Sequence, residues 1–264
     1  MTEESAKIRK SEKRRQYMFV IRQLARRDVK KGNSSAFLGQ LWNVINPFVY
    51  MITMVIIFSV VFNNHIPNFP VYVLTGTIIY SLYNSGTTGA MKSMVANKKF
   101  LIRTRIPKNI FVFEKVYVAF ISMLYSLIGY VILLIVTGVT PNPYMFLVPL
   151  DIAISLVLIF GLGKILAVIN VYFADIEYFY HILMLLFMYG SAIFYTMDRM
   201  APAAQIVMSF NPIYISITIA RICVMDGQAP GPMLWVKLGC YAVFFYFLGS
   251  FIFKRGTQDI VAKL

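Results

Sequence analysis

Residues 44–62 form an unbroken run without a charged side chain, VINPFVYMITMVIIFSVVF. A run of this length matches the roughly 20 residues that an α-helix needs to cross the hydrocarbon of a bilayer. Five later segments are also long and poor in charge, at residues 69–90, 111–137, 144–171, 178–195 and 233–253. The sequence therefore predicts an all-α integral membrane protein with six transmembrane helices.

The composition is that of a protein that uses lipid as part of its solvent. Of the 264 residues, 59% are hydrophobic and 14% are charged, and the mean hydropathy is +0.69. A soluble domain carries about 25% charged residues. The net charge of +14 does not indicate a nucleic-acid interface, because most cations cluster beside the apolar runs and line no solvated groove.

The distribution of the cations predicts the orientation. Of the 25 Lys and Arg residues, eleven lie in residues 7–31, six in 92–108 and three after residue 253. Cytoplasmic loops of membrane proteins carry an excess of these residues. We therefore predict a multi-pass protein of the cytoplasmic (inner) membrane, with both termini and the loop at 91–110 in the cytoplasm.

The chain divides into two predicted regions. Residues 1–42 form a cytoplasmic tail with an interfacial amphipathic helix, and residues 43–264 form the six-span transmembrane domain. In the helix, one face carries four apolar residues, Met18, Ile21, Ala25 and Val29, and Arg and Lys occupy much of the rest. This pattern is typical of a helix that lies in a membrane surface, although an ordinary solvated helix is the alternative.

Two segments of the transmembrane domain have unusual sequences. Residues 197–232 are too long for a turn and contain four prolines. Their apolar centre predicts two short re-entrant helices broken at Asn211-Pro212, which requires cover from protein or a water-filled cavity. The second span is rich in Thr, Ser and Gly, residues that allow close helix packing, so we expect it to face protein or a cavity.

No pattern in the sequence indicates a catalytic or metal site. The acidic residues near the spans and the two histidines form no nucleophile–base pair, paired carboxylates or metal-ligand cluster. The two cysteines form no CxxC pair. The motif GxxxxGK[ST] is absent, so this chain is not expected to hold ATP by itself. We predict that the chain is not an enzyme and binds no cofactor.

Five short blocks of sequence follow one another along the chain. They are Leu38-Gly39-Gln40-Leu41-Trp42 with Asn46-Pro47; Phe69-Pro70-Val71-Tyr72 with Leu74 and Gly76; Asn97 with Leu101-Ile102 and Ile106-Pro107; Gly161-Leu162-Gly163 and Leu166-Ala167 with Asn170-Val171-Tyr172-Phe173 and Asp175-Ile176; and Phe194-Tyr195 with Asn211-Pro212-Ile213-Tyr214 and Arg221. In this order they resemble the membrane-spanning permease subunit of type-2 ABC exporters. Those exporters move lipid-linked polysaccharides, namely O-antigen of lipopolysaccharide, capsule and teichoic-acid precursors.

The resemblance implies a permease that works as a homodimer with two copies of a separate nucleotide-binding ATPase, which would hold ATP and Mg. It implies that the 91–110 loop is the helix that couples the permease to the ATPase, through Asn97, Phe100, Leu101, Ile102, Ile106 and Pro107. The residues themselves allow this, because cations alternate here with apolar side chains that need a partner or a membrane surface. A solvated loop that only sets the orientation is the alternative.

Aromatic residues are the predicted substrate contacts, since their rings stack on the C–H faces of sugars. The predicted channel residues are Phe48, Tyr50, Tyr180, Phe187, Phe194 and Tyr195. Three of them are spaced seven residues apart, close to one helical stripe, although such a stripe is also typical of a core or an interface belt. We predict the outer gate at Asn211-Pro212.

Two positions depart from the family pattern. Ala174 occupies the usual place of an arginine, immediately before Asp175. This departure puts in doubt an inward-facing ion pair at this corner of the chain. Ala192 occupies the usual place of a proline, which predicts a straighter fifth helix. Two other functions stay open: a type-2 exporter of a small lipid or drug, and a membrane-embedded glycan enzyme. The absence of a long external loop weighs against the enzyme, and the sequence does not indicate which glycan is carried.

Overall fold

The computed structural model describes residues 16–28, 66–103, 106–197 and 200–256, together with eight separate positions between 42 and 57. Within these residues all regular secondary structure is helical. The helices are α1 (16–28), α2 (Phe69–Ala96), α3 (Lys98–Arg103), α4 (Asn109–Val136), α5 (Val148–Tyr172), α6 (Ile176–Tyr189), α7 (Pro202–Ser209), α8 (Pro212–Arg221) and α9 (Pro232–Gly256). A 3₁₀ turn, Pro143–Leu147, precedes α5, and a π-helical turn, Ile222–Asp226, follows α8. The predicted first span lies largely outside the described residues.

The apolar helices make this an all-helical, multi-pass membrane protein. Three of them are long and apolar enough to cross a bilayer: α4, α5 with the turn before it, and α9. The pair α7 and α8 is a fourth candidate, although the two helices bend by 91° at the break between them. Helix α6 is apolar but has only 14 residues, about 21 Å. The count of six spans stays a prediction.

The two ends of the bundle differ in charge. One end, which we call the basic end, holds α1, α3, the start of α4 and the C-termini of α2, α5 and α9. The Tyr172 hydroxyl donates to the Gly256 carbonyl there (3.2 Å), which places the ends of α5 and α9 side by side. The end cations include Arg27, Lys98, Lys99, Lys108, Lys115, Lys254 and Arg255. The opposite end holds the N-termini of α2, α5 and α9.

Helix α2 occupies the centre of the bundle, between α4 and α5. Small residues make this possible, because a Cβ atom at Gly86 would lie 2.7 Å from the Ile159 side chain. Its Thr87 hydroxyl donates to the Tyr83 carbonyl one turn earlier (2.6 Å), so the polar group is satisfied without water. The prediction that the polar second span faces protein is confirmed by the burial of most of this helix.

The two short helices predicted on either side of Asn211-Pro212 are present, whereas the fifth span differs from its prediction; that the pair is re-entrant stays a prediction. α7 and α8 are two short helices broken next to Asn211, as the prolines predicted. The expected straight helix from 178 to 195 is wrong, because α6 ends at Tyr189 and Ala192 adopts a left-handed conformation (φ 50°). Proline could not adopt this conformation, since its ring holds φ near −65°. The proline of the family pattern therefore could not occupy position 192 without a different backbone conformation there.

Candidate functional site

An apolar cavity of about 410 Å³ lies between α2, α5, α6, α8 and α9. Two of the predicted channel aromatics, Tyr180 and Phe187, line this cavity, and so does Pro212 at the start of α8. Most of the other lining side chains are Leu, Ile, Met or Phe. Sugar hydroxyls would lose their hydrogen bonds to water in such a space. The cavity within one chain therefore suits an apolar group better than a glycan.

Hydroxyl groups in the cavity wall are bonded to one another. The Tyr180 hydroxyl donates to Thr87 Oγ1 (2.7 Å), and the Tyr83 hydroxyl donates to Ser155 Oγ (2.8 Å). Because these donors are engaged within the protein, they present carbon atoms to the cavity. The bond from Tyr180 and a second one, from the Tyr80 hydroxyl to a carbonyl of α6 (2.9 Å), also hold α6 against α2.

A buried carboxyl group joins α5 to α8. Asp151 is fully buried, and its Oδ2 accepts a hydrogen bond from the Ser216 hydroxyl (2.8 Å). Ser216 lies 3.2 Å from the Ser155 hydroxyl, which extends this chain of polar groups to α2. No motif in the sequence pointed to this link, although Asp151 and Ser155 are spaced four apart on one helical face. An ionisable residue inside a membrane domain is usually conserved for a function or a structural link.

Lys164 is a second ionisable residue within the predicted spans, and the sequence patterns did not single it out. Its ammonium donates to Ser250 Oγ (3.0 Å) and lies over the rings of Phe160 (4.1 Å) and Tyr246 (4.9 Å). Cation–π contacts of this kind replace part of the lost hydration of the ammonium. The contacts link α5 to α9 at the level of Lys164.

The segment after α6 is irregular from residue 190 to residue 196, so its carbonyls need partners other than the next helical turn. The guanidinium of Arg221 is the partner of two, since it donates to the carbonyls of Ala192 (2.9 Å) and Ile193 (3.1 Å). It also donates to the Tyr72 carbonyl (3.1 Å) and lies over the Tyr72 ring at 3.3 Å. The Tyr72 hydroxyl in turn donates to the Tyr195 carbonyl (2.8 Å). Arg221 and Tyr72 thus hold an irregular backbone inside the protein.

Asn211, one half of the predicted outer gate, ties this segment to α8. Its side-chain amide donates to the Ser191 hydroxyl (2.8 Å) and the Gly190 carbonyl (3.2 Å). Its Oδ1 accepts from the backbone N–H of Ile213 (3.0 Å), which caps the first turn of α8. Hydrogen bonds from Asn211 therefore connect α8 to the segment after α6 at this break. The role of Asn211-Pro212 as a gate stays a prediction.

The remaining predicted channel residues do not line the apolar cavity. Phe194 is buried, and the Tyr195 hydroxyl donates to the Tyr189 carbonyl at the end of α6. Phe48 lies against Gly129 of α4, where a Cβ atom would collide with its ring. Tyr50 lies outside the described residues. Of the five predicted channel residues that the structure describes, it brings Tyr180 and Phe187 to one cavity, and whether any of the six contacts a substrate stays a prediction.

The predicted coupling residues gather at the basic end, on and beside α3. Phe100 and Ile102 are 45% and 54% exposed, whereas Leu101 between them is 6% exposed and belongs to the core. Asn97 is buried and donates to the Ser93 carbonyl one turn earlier (2.9 Å). The last two, Ile106 and Pro107, are half-buried and exposed in that order. Only part of the predicted set is therefore exposed at the surface.

Helix α1 packs beside α3 and α4 at the same end. The Arg27 guanidinium donates to Asn97 Oδ1 (3.4 Å) and lies 5.8 Å from the centre of the Phe100 ring. Asp28 forms ion pairs with Lys115 on α4 and with Arg27. Burial alone would raise the pKa of Asp28, but the hydrogen bonds from these two cations outweigh it and hold the pKa below its usual value. The pairs fix α1 to the rest of the protein.

An ion pair lies at the corner between α5 and α6, but it does not involve position 174, where the family pattern has an arginine. Among the described residues, Asp175 beside Ala174 forms no ion pair, whereas Glu177 in the first turn of α6 pairs with Lys92 of α2. This contact fastens the basic end of α6 to α2. The ion pair at this corner therefore lies about half a helical turn beyond Asp175, at Glu177.

Comparison with known proteins gives a consistent set of relatives. The ABC-2 type transporter family matches residues 20–225 of this chain. An O-antigen export system permease protein RfbA from Myxococcus xanthus is 24% identical over 251 residues, covering 94% of this chain and 96% of that protein. Two proteins of the same name from Klebsiella pneumoniae are 27% and 24% identical over 205 residues, each covering 77% of this chain and 79% of the relative.

Proposed function

The chain belongs to the ABC-2 type transporter family, and from this premise we propose that it is the membrane-spanning subunit of an ATP-driven exporter of lipid-linked O-antigen. The relatives that cover most of its length are named as permeases of O-antigen export. In this proposal two copies form the channel, and two copies of a separate ATPase bind ATP and Mg. The chain crosses the inner membrane six times, has both termini in the cytoplasm and carries out no catalysis itself.

The observation that carries the coupling part of the proposal is the exposed apolar edge of α3. Phe100 and Ile102 stand out from a basic end that is otherwise rich in cations. Exposed apolar side chains in a short helix between two longer ones need a partner surface. A cytoplasmic ATPase with an apolar cleft would meet this requirement.

Two rigid connections would carry a push on α3 into the membrane domain. The first is Asn97, which is bonded to the last turns of α2, so α3 and α2 move together. The second is α1. Its Arg27 contacts Asn97 and the Phe100 ring, and its Asp28 is paired with Lys115 on α4. Since α2 runs from the basic end to Tyr72 at the opposite end, displacement of α3 would reach the irregular segment that Arg221 holds.

Paired aspartate substitutions at Phe100 and Ile102 test the coupling. Charges there should remove ATPase stimulation and O-antigen export, because the apolar edge could no longer be buried in the partner, while the folded permease stays in the membrane. Phe100→Leu is the matched control and should retain both activities. Leu101→Asp should reduce the amount of folded protein, since the new carboxylate would be buried in the core. Normal export by the paired aspartate variant, with the partner still bound, would show that the coupling surface is elsewhere.

A further inference from the structure

A second cavity, of about 450 Å³, lies at the opposite end of the bundle from the coupling helix. It is formed by the start of α2, the segment after α6, the end of α8 and the π-helical turn. Tyr72, Tyr214 and Thr218 supply polar groups to its wall. The export proposal does not use this cavity.

A positive charge lies on the buried wall of the cavity, and none of the described carboxylates forms an ion pair with it. Arg221 is 8% exposed, and its bonds go to three main-chain carbonyls, which are neutral. In the described part of the chain no carboxylate lies within ion-pair distance of it, and its Nε–H has no partner. A desolvated cation of this kind favours an anion nearby, and guanidinium groups suit phosphate oxygens.

The open rim of the same cavity carries a negative charge. Asp226 is exposed and lies five residues after Arg221, at the end of the π-helical turn. Residues five apart in a π-helix follow one another along the same face, since its hydrogen bonds join i to i+5. The cavity therefore presents a cation on its inner wall and a carboxylate nearer to water. Beside them, Ile66, Ile222 and Met225 form an apolar wall.

We propose that this cavity binds the headgroup of phosphatidylethanolamine, with the phosphate toward Arg221 and the ammonium toward Asp226. A primary ammonium can donate hydrogen bonds to the carboxylate. The quaternary ammonium of phosphatidylcholine has no N–H to donate, and phosphatidylglycerol offers no positive charge at all. The apolar wall suits the first carbons of the lipid chains, which favours a lipid over the same phosphoethanolamine group free in solution.

Native mass spectrometry of the full chain in detergent tests the site. After delipidation, phosphatidylethanolamine, phosphatidylglycerol and phosphatidylcholine are added in equal amounts, and the retained lipid is counted. We expect one phosphatidylethanolamine per chain, preferred by about fivefold, as one partly exposed charge pair allows. Asp226→Asn should reduce the preference over phosphatidylglycerol to near unity. Soluble glycerophosphoethanolamine should bind at least about tenfold more weakly, because it lacks the chains.

A variant that blocks the cavity without touching Arg221 separates binding from folding. Thr218→Trp should fill the space and abolish the retained lipid, and Met233→Trp, an exposed position at the same end on α9, is the matched control and should retain it. Equal retention of the three lipids by the unaltered chain, or full retention by folded Thr218→Trp, would overturn the proposal. Equally tight binding of the soluble headgroup would overturn its lipid part.

Discussion

Alanine at Gly161 should destabilise the protein, because α5 and α9 cross there with their backbones in contact. A Cβ atom at this position would lie 2.5 Å from the carbonyl carbon of Phe245 and 2.6 Å from the backbone nitrogen of Tyr246. Carbon atoms in favourable contact sit about 3.5–4.0 Å apart. The two helices would therefore have to separate by about 1 Å at the crossing, since backbone atoms cannot rotate away as a side chain can.

The size of the effect follows from two opposing contributions. Overpacking of this kind costs about 1–3 kcal/mol, and replacing glycine by alanine inside a helix favours folding by about 1 kcal/mol. We expect a net loss of about 1 kcal/mol in the free energy of unfolding. For a chain of this size, that loss lowers the melting temperature by about 2–4 °C.

Thermal unfolding in a single detergent, followed by fluorescence-detected size-exclusion chromatography, measures this change. Gly239→Ala is the matched control, because Gly239 lies in α9 and a Cβ atom there would meet no atom of the described residues within 4 Å. The control should melt at the same temperature as the unaltered chain or slightly higher. If Gly161→Ala melts together with the control, the close crossing of α5 and α9 is wrong.

Two further predictions concern the basic end and the break at Asn211-Pro212. Because the pKa of Asp28 lies below its ordinary 3.8 in the folded protein, its ion pairs should hold α1 in place at pH 3.8 and above, and release it as the pH falls further, through the lowered pKa. Spin labels at the exposed Gln23 and Asn109 should then report a longer, broader distance in acid, and an unchanged distance would contradict the pairing. Asn211→Ala should lower the free energy of unfolding by about 2 kcal/mol through loss of a cap and two buried donors. Asn211→Ser, whose hydroxyl keeps a cap acceptor without burying a charge, should lose less in chemical denaturation, and equal losses would show that the cap contributes nothing.

The helices themselves follow from local sequence. In lipid, a long uncharged run can form all of its backbone hydrogen bonds only as a helix. For this reason the predicted bounds of α4, α5 and α9 agree with the structure to within a few residues. The break before Pro212 was equally visible, because proline cannot continue a helix and its preceding residue is pushed into an extended conformation. The inward-facing α2 was predicted from its many small and hydroxyl residues.

Tertiary structure decided the properties that depend on distant neighbours. Within the coupling loop, periodicity does not show that Leu101 turns inward while Phe100 and Ile102 stay exposed, because the neighbouring helices determine which face is covered. The early end of α6 depends on distant partners such as Arg221, which lies 29 and 28 residues beyond Ala192 and Ile193 and donates hydrogen bonds to their carbonyls. Asp151 is buried because α8 folds back over it. Hydrophobic length determines which segments enter the membrane, whereas desolvated polar groups depend on partners that only the folded chain brings within hydrogen-bonding distance.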